Sequence, residues 1–217
     1  MQLPIPDRET AGRELAKALA AYREREKLVV LALPRGGLPV AAEIARELGG
    51  ELDLMTVRKL GMPGQKEVAM GAIASGGARV LNEQMLGSDL ITEKALEEVT
   101  EAEQRELERR EQVYRGSHPW PDLAGATVIL VDDGLATGAT MRAALKGLKP
   151  YKPRETVVAV PVAPEEPLIE LRKRADEVVC LETPSNFRGI GQWYVSFDQV
   201  SDEEVEEILG EFWGRGG

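Results

Sequence analysis

The sequence predicts a three-layer α/β/α fold with a mostly parallel central sheet. Short runs of apolar residues alternate along the chain with segments whose apolar residues recur at helical spacing. The runs are apolar at successive positions, which is typical of strands that helices cover on both faces. The 217 residues, of which 43% are hydrophobic, are enough for a full core, and we expect a single domain over residues 1–217.

Each predicted element follows from one of these two patterns. The first helix is predicted over residues 7–25, where Ala11, Leu15, Leu19 and Tyr22 lie at helical spacing. Beyond it, the predicted elements are a strand over 28–33, a helix over 40–48, strands over 52–57 and 127–131, a helix over 138–148, a strand over 156–162, a helix over 167–174 and a strand over 177–181. Because ligands bind at the carboxyl ends of parallel strands, we expect a site after the first three of these strands.

A long charged helix, predicted over residues 92–115, falls outside this alternation. It belongs to a helical insert that we place at residues 79–120, and its apolar stripe is thin. We therefore expect the helix to project into solvent or to pack on a partner. Opposite charges four residues apart should stabilise it slightly; the predicted pairs are Glu101 with Arg105, Glu106 with Arg110, and Glu111 with Arg115.

The last segment, residues 182–217, is predicted to form a hood over the sheet and a terminal helix. Its acidic stretch over residues 198–211 carries seven acids and no base, and we expect this charge to lie on the surface. Apolar residues at helical spacing indicate one buried face. They are Val205, Ile208, Leu209 and Phe212.

The composition excludes several classes of protein. A net charge of −10 argues against a general nucleic-acid binder, which needs a dominant basic surface. No run of residues approaches the ~18 apolar positions of a membrane-spanning helix. The single cysteine, Cys180, and the single histidine, His118, exclude an internal disulfide and zinc sites built from several thiolates or imidazoles. We expect His118 to be a solvated loop residue and the protein to be cytoplasmic.

The most informative segment is residues 128–140, where a buried strand ends in two adjacent carboxylates, Asp132 and Asp133. A loop of small residues with Thr137 and Thr140 then leads into a helix. Such a loop directs backbone N–H groups and hydroxyls at an anion, which the helix dipole also favours. Because the carboxylates would repel a bare phosphate, the ligand should also carry hydroxyl donors. A ribose 5-phosphate meets both requirements.

Two common nucleotide-binding motifs do not match this segment. A P-loop has a lysine after its second glycine and a longer spacing, whereas Gly134 and Gly138 lie close together and Ala139 follows them. The Gly-x-Gly-x-x-Gly fingerprint of dinucleotide-binding folds does not follow any of the predicted strands.

Residues 128–140 resemble the phosphoribosyl-diphosphate signature of type I phosphoribosyltransferases. The resemblance implies that the acid pair binds the ribose hydroxyls and that the loop after it holds the 5-phosphate. The implied ribose-phosphate site consists of Asp132, Asp133, Gly134, Leu135, Ala136, Thr137, Gly138, Ala139 and Thr140.

Other parts of the chain resemble this family in the same order. The turn after the first strand, with Arg35, Gly36 and Gly37, matches the turn that holds the pyrophosphate of the substrate. Arg58 and Lys59, which end the next strand, match basic residues that contact the same pyrophosphate. Cations fixed at this position would accelerate the departure of pyrophosphate, because that group gains charge in the transition state.

The activity that the resemblance implies is a displacement at the anomeric carbon of phosphoribosyl diphosphate by a ring nitrogen of a heterocyclic base, with release of pyrophosphate. The expected catalytic residues are Arg58, Lys59, Asp132 and Asp133. Magnesium is the expected cofactor, held mainly by substrate oxygens, with Asp132 or Asp133 as a ligand directly or through water. Residues 61–77 match a mobile loop that would close over the site and exclude water.

The base is expected to bind under the hood, where Phe187, Trp193 and Tyr194 are candidates to stack on a heterocycle. Ala136 stands where the 6-oxopurine enzymes of the family carry a third acid, and residues 162–164 lack the lysine that those enzymes use to read the base. Both departures disfavour hypoxanthine and guanine. The loop is closer to that of adenine phosphoribosyltransferases.

Three functions remain open from the sequence alone. The first is the phosphoribosyltransferase, with phosphoribosyl diphosphate and a heterocyclic base as partners, no nucleic acid or membrane, and homo-oligomer formation left open. The second is a regulatory protein that senses phosphoribosyl diphosphate without turnover. The third is a hydrolase of ribose 5-phosphate or of a nucleotide. Glu67, within the expected mobile loop, is either a proton acceptor for the base or a solvated carboxylate.

Overall fold

The computed structural model describes residues 3–63, 65–81 and 92–214, and it confirms the predicted α/β fold with a mostly parallel central sheet. The strands of this sheet are β1 Leu28–Ala32, β2 Glu51–Leu54, β6 Thr127–Val131, β7 Glu155–Val162 and β8 Glu177–Glu182. They are parallel and lie in the order β2-β1-β6-β7-β8. Every residue of β1 and β6 is buried, as expected of strands covered on both faces.

Helices cover both faces of the central sheet. The described part of the chain contains α1 Arg8–Ala18, α2 Gly37–Leu48, α3 Glu93–Arg115, α4 Ala139–Leu148, α5 Glu165–Leu171 and α6 Asp202–Trp213. Successive side chains of a strand point to opposite faces. Val30 of β1 accordingly lies in the core shared with α1, α2 and α6. Its neighbour Val29 lies in the core shared with α4 and α5.

A second, antiparallel sheet follows the first two parallel strands. Its strands are β3 Val57–Met62, β4 Gln65–Ala74 and β5 Ala78–Leu81, in the order β3-β4-β5. The expectation of a loop over residues 61–77 was wrong for the local structure, because much of this range pairs in the β3–β4 ladder. The buried side chains of Leu60, Met70 and Ile73 give the sheet a core of its own.

The charged helix α3 packs on this second sheet, so the expectation that it projects into solvent was wrong. Leu107 is 0% exposed and lies in the same small core as Leu60 and Met70. The thin apolar stripe is therefore sufficient to pack α3 on this sheet, because the surface that it covers is small. Two predicted ion pairs form, between Glu101 and Arg105 at 3.7 Å and between Glu106 and Arg110 at 2.8 Å.

Arg115, at the end of α3, does not follow the third predicted pairing. It donates hydrogen bonds to both carboxylate oxygens of Asp53 in β2, at 2.8 and 2.6 Å, and the Asp53 side chain is 0% exposed. Burial raises the pKa of Asp53, and the guanidinium of Arg115 opposes that rise. His118 was expected to be solvated, but its ring stacks on Trp213 with centroids 4.0 Å apart. These contacts fix the end of α3 against the parallel sheet.

Some predicted helix boundaries differ from the observed ones. The first helix ends at Ala18 and is followed by a short 3₁₀ helix at Ala20–Tyr22. The second begins at Gly37, three residues before the predicted start. The last begins at Asp202, because the side chain of Ser201 accepts a hydrogen bond from the Glu204 N–H at 3.1 Å and caps the helix there.

Candidate active site

The carboxyl ends of β1 and β6 bring the two main predicted motifs to the same edge of the sheet. Ala32 pairs with Val131 in the parallel register. The turn after β1 and the acid pair after β6 therefore leave the sheet side by side. The Leu33 N–H donates to the Val131 carbonyl at 2.9 Å, and the peptide bond between Pro34 and Arg35 is cis.

The two glycines of the turn allow it to approach the acids closely. A Cβ atom on Gly36 would overlap the carboxylate of Asp133. A Cβ atom on Gly37 would lie 2.7 Å from the carbonyl oxygen of Val131, inside van der Waals contact. The predicted pyrophosphate turn and the predicted sugar-binding acids are therefore in direct contact, and glycine is the residue that permits this approach.

Asp133 is buried and Asp132 is half-buried, and burial opposes the charge of both carboxylates. Asp133 is 7% exposed, and its N–H donates to Oδ1 of Asp132 at 2.9 Å. Burial and the neighbouring charge of Asp133 raise the pKa of Asp132 well above its ordinary range. Burial also raises the pKa of Asp133, although the guanidinium of Arg8 opposes this rise. A ligand that offers hydroxyl donors or a cation would relieve part of this penalty.

Arg8 is a site residue that sequence reasoning missed. Its Nε donates to Oδ2 of Asp133 at 2.8 Å, and one of its terminal nitrogens donates to the backbone carbonyl of Asp198 at 2.7 Å. The guanidinium also lies 4.0 Å from the centre of the Phe197 ring. One local signal was available. An arginine in the first turn of a helix opposes the helix dipole, which indicates a partner elsewhere.

The predicted phosphate loop lies at the N-terminus of α4. Ala136, Thr137, Ala139 and Thr140 are exposed. Gly138 is the N-cap residue with φ of +68°, a left-handed conformation that favours glycine. The Ala139 N–H makes a long hydrogen bond of 3.4 Å to Oγ1 of Thr137, and the helix dipole adds positive potential at this exposed loop. This geometry suits a phosphate.

A cavity of about 360 Å³ adjoins the predicted pyrophosphate turn. Arg35, the residues after β2, Thr140, the C-terminal half of α3 and Asp202 line it. Arg35 donates to Oδ1 of Asp202 at 3.2 Å, and the Tyr114 hydroxyl donates to the same oxygen at 2.7 Å. These hydrogen bonds lower the pKa of Asp202, the one from Tyr114 having the larger effect. Asp202 is thus charged at neutral pH and is the acid that Arg35 contacts.

Arg58 and Lys59 line cavities next to the one that contains Arg35, and Lys59 shares one of them with Ala139 and Thr140 of the predicted phosphate loop. Arg58 donates through Nε to Glu103 of α3 at 2.8 Å. Together with Lys59 it lines a cavity of about 480 Å³ between β3 and α3, and Lys59 also lines a cavity of about 630 Å³ beside α4. Neither residue lines the described walls of the cavity that contains Arg35. Their role toward pyrophosphate stays a prediction.

The predicted hood packs on the start of the chain and on the acid pair. Ile5 forms a parallel bridge with Tyr194. Tyr194 is 6% exposed, and its hydroxyl donates to the backbone carbonyl of Asp133 at 2.8 Å. Tyr194 therefore joins the hood to the acid pair, and its ring is covered. Phe187 and Trp193 are partly exposed, with ring centroids 6.3 Å apart, so they remain the candidates for base stacking.

Two further predictions concern a metal site and a membrane-spanning helix. Within the described residues, no group of three or more histidine, cysteine, aspartate or glutamate side chains converges as a metal site would require. The side chain of Glu67 lies outside the described residues. Over residues 3–63, 65–81 and 92–214, none of the helices has the length and apolar character needed to cross a membrane.

The fold and the position of these motifs define an α/β domain with a candidate ligand site at the carboxyl edge of its parallel sheet. The chain belongs to the phosphoribosyl transferase domain family, whose sequence profile matches residues 3–198. The resemblance to the type I phosphoribosyltransferases is thereby confirmed at the level of the family.

Relatives of the chain are consistent with this assignment. A protein of Mycobacterium tuberculosis (strain H37Rv), provisionally named as a phosphoribosyl transferase, Rv0571c, is 43% identical over 203 residues, which is 94% of this chain and 46% of that protein. The chain thus spans about half the length of the curated relatives it matches. The crystal structure of TT1426 from Thermus thermophilus is 46% identical, with a TM-score of 0.87 over 98% of this chain and 99% of that one.

Proposed function

We propose that this domain transfers the 5-phosphoribosyl group of phosphoribosyl diphosphate to a ring nitrogen of a heterocyclic base. The observation that carries the proposal is the contact between the Gly36 turn and the carboxylate of Asp133. It joins a turn suited to pyrophosphate with a pair of acids suited to a sugar diol. The exposed loop at the N-terminus of α4, at the same edge of the sheet, supports the proposal because a helix N-terminus favours a phosphate.

In the proposed reaction, the residues bind and orient the substrate rather than bond to it. The N–H groups of the α4 loop hold the 5-phosphate, and Asp132 and Asp133 accept hydrogen bonds from the ribose 2- and 3-hydroxyls. The bond between the anomeric carbon and the pyrophosphate oxygen breaks, and pyrophosphate leaves with the electron pair. The base nitrogen bonds to the anomeric carbon and loses its proton to solvent. Arg35 stabilises the charge that develops on the leaving group.

The acid pair suits a magnesium ion that the substrate itself carries. Among the described residues, no group of three or more acids, cysteines or histidines converges to hold a metal ion, and Arg8 already neutralises Asp133. Most of the ion's oxygen ligands would therefore come from the substrate, with Asp132 contributing directly or through water. When bound, the ion would neutralise charge on the departing pyrophosphate.

The proposal is tested by incubating the protein with phosphoribosyl diphosphate, magnesium and a panel of purine, pyrimidine and pyridine bases. Release of pyrophosphate with one base, together with the corresponding nucleotide, is the expected result. Adenine is expected to react in preference to hypoxanthine and guanine. Free ribose 5-phosphate as the product would instead indicate a hydrolase. Tight binding without any product would indicate a sensor.

A pair of variants separates a loss of chemistry from a loss of fold. The double substitution Asp132→Asn and Asp133→Asn should abolish product formation while thermal unfolding remains cooperative. Asp122→Asn is the matched control, because Asp122 is an exposed carboxylate held by Lys27 on the surface. Its activity should equal that of the unmodified protein. Equal activity in all three proteins would refute the assignment of the acid pair.

A further inference from the structure

The cavity beside Arg35 has a wall that the resemblance to the family did not anticipate. Arg109, Arg110 and Tyr114 of α3 line it opposite the turn that follows β1. Arg35, Arg109 and Arg110 are its cations, and Asp202 is the acid among its described walls. A concave site with this excess of arginine favours a ligand with more than one negative charge.

The position of α3 is fixed on both sides of these arginines. Before them, Glu103 accepts a hydrogen bond from Arg58 of β3 at 2.8 Å, and Leu107 is buried against the second sheet. After them, Arg115 is bonded to the buried carboxylate of Asp53. Arg109 and Arg110 lie between these anchors, so the backbone that carries them is held at the cavity.

Both arginines keep hydrogen-bond donors for a ligand. Arg109 binds Glu106 through Nε and one terminal nitrogen, at 2.9 and 3.1 Å, whereas Arg110 binds the same carboxylate through Nε at 2.8 Å. A guanidinium has five N–H donors, so the contacts of the described residues leave several of them. The shared carboxylate holds both side chains at the rim of the cavity and is itself strongly ionised, since these bonds lower the pKa of Glu106 to about 2.

Arg110 and Arg35 also affect the hydroxyl of Tyr114, which lines the same cavity. Burial raises the pKa of Tyr114, and its hydrogen bond to Asp202 adds to the rise. The positive charges of Arg35 and Arg110 oppose it. Arg110 and Arg35 therefore act on the same hydroxyl from different elements, α3 and the turn after β1.

We propose that Arg109 and Arg110 of α3 complete the binding site for the diphosphate group of the substrate, opposite Arg35. The proposal rests on the proposed function, since it assumes that the turn after β1 faces the diphosphate. It assigns a role to the charged helix within the insert. It also supplies from α3 the cations that Arg58 and Lys59 do not bring to this cavity.

The test compares two arginine variants of the same helix. One carries Arg109→Ala and Arg110→Ala. The control carries Arg105→Ala, because Arg105 is exposed, pairs with Glu101 at 3.7 Å and does not line the described cavity. Dissociation constants are measured by calorimetry for inorganic pyrophosphate, phosphoribosyl diphosphate and ribose 5-phosphate, which lacks the diphosphate.

The double variant should bind pyrophosphate and phosphoribosyl diphosphate at least about tenfold more weakly, which is about 1.4 kcal/mol, and should bind ribose 5-phosphate unchanged. The control should match the unmodified protein for all three. Unchanged pyrophosphate affinity in the double variant would overturn the inference, as would an equal loss for ribose 5-phosphate or no pyrophosphate binding by the unmodified protein. Failure of the proposed function appears differently, as pyrophosphate binding that depends on the arginines without transfer to any base.

Discussion

The carboxylates of Asp132 and Asp133 lie where burial opposes their negative charge. Arg8 offsets this penalty for Asp133 through an ion pair of 2.8 Å. Asp132 accepts a hydrogen bond from the neighbouring backbone N–H. An arrangement that weakens the fold is typical of a functional site, where ligand binding and not stability determines the residue.

Asp132→Asn should therefore stabilise the protein. Because folding raises the pKa of Asp132, the folded state binds protons more tightly than the unfolded state, and stability falls as pH rises above the ordinary Asp pKa of about 3.9. Asparagine does not titrate, so the substitution removes this loss of stability. We expect a gain of about 1 kcal/mol at pH 8, or a rise in Tm of about 2–4 °C.

The measurement is thermal unfolding by calorimetry at pH 5 and pH 8. The gain should be larger at pH 8, where the unmodified acids are forced to ionise. Asp122→Asn again serves as the control, because the hydrogen bond from Lys27 lowers the pKa of this exposed acid, and its removal should not raise Tm. A lower Tm for Asp132→Asn at pH 8 would show that the pair is not under electrostatic stress.

Gly36→Ala tests the contact between the turn and the acids. The new methyl group would occupy the space of the Asp133 carboxylate, so the turn or the acid must move. Overpacking of this kind costs about 1–3 kcal/mol, and ligand affinity should fall at least about tenfold. Urea unfolding and calorimetric titration with phosphoribosyl diphosphate measure the two effects.

Gly210→Ala is the matched control for this substitution. Gly210 lies within α6, and a Cβ atom there has nothing within 4 Å. Alanine should therefore stabilise the helix by about 0.5–1 kcal/mol without changing ligand affinity. Normal affinity in Gly36→Ala would show that the turn and the acid pair do not form one crevice.

At the scale of elements, helix α6 supplies the acid that forms an ion pair with Arg35. Ser201 caps the helix, and its first turn carries Asp202, Glu203 and Glu204, which the helix dipole favours. Of these acids, Asp202 accepts hydrogen bonds from both Arg35 and Tyr114 of α3. The carboxylate thus joins three elements around the cavity, and any anion that binds Arg35 must compete with it.

Asp202→Asn should strengthen the binding of pyrophosphate. The substitution removes a negative charge from the cavity and weakens the hold on Arg35, so we expect an affinity about threefold to tenfold higher. Calorimetric titration with inorganic pyrophosphate measures it. Glu203→Gln removes a neighbouring exposed charge outside the described cavity wall and should have little effect. Weaker binding by Asp202→Asn would show that this acid orients Arg35 for the ligand.

The sequence predicted the parallel strands better than the elements around them. The strand at Thr127–Val131 was predicted to the residue, and the one at Leu28–Ala32 to within one residue, because both are almost entirely apolar. The antiparallel sheet was missed. Its strands contain glycine and charged residues, and they are stabilised by packing on α3 and α4, which a local pattern does not reveal.

The candidate site was predictable in part for a similar reason. The acid pair, the phosphate loop and the Arg35 turn each follow a strand end, so the geometry of a parallel sheet brings them together. Arg8 lies 125 residues from Asp133 in the chain, and Arg109 and Arg110 lie on a helix whose packing face is set by tertiary contacts. Such contacts depend on the whole fold.

At the scale of the whole molecule, we propose that a single crevice holds a pentose diol on Asp132 and Asp133 and its phosphate on the α4 loop. The most direct test compares ribose 5-phosphate with 2-deoxyribose 5-phosphate, which lacks one hydroxyl and keeps the phosphate. Dissociation constants are measured for the unmodified protein and for the variant with Asp132→Asn and Asp133→Asn.

The unmodified protein should prefer ribose 5-phosphate by about tenfold, the effect of one or two hydrogen bonds to a charged acceptor. In the double variant this preference should largely disappear, while the phosphate loop still binds both sugars weakly. An equal preference in the two proteins, or none in the unmodified protein, would contradict the claim that the acid pair holds the sugar.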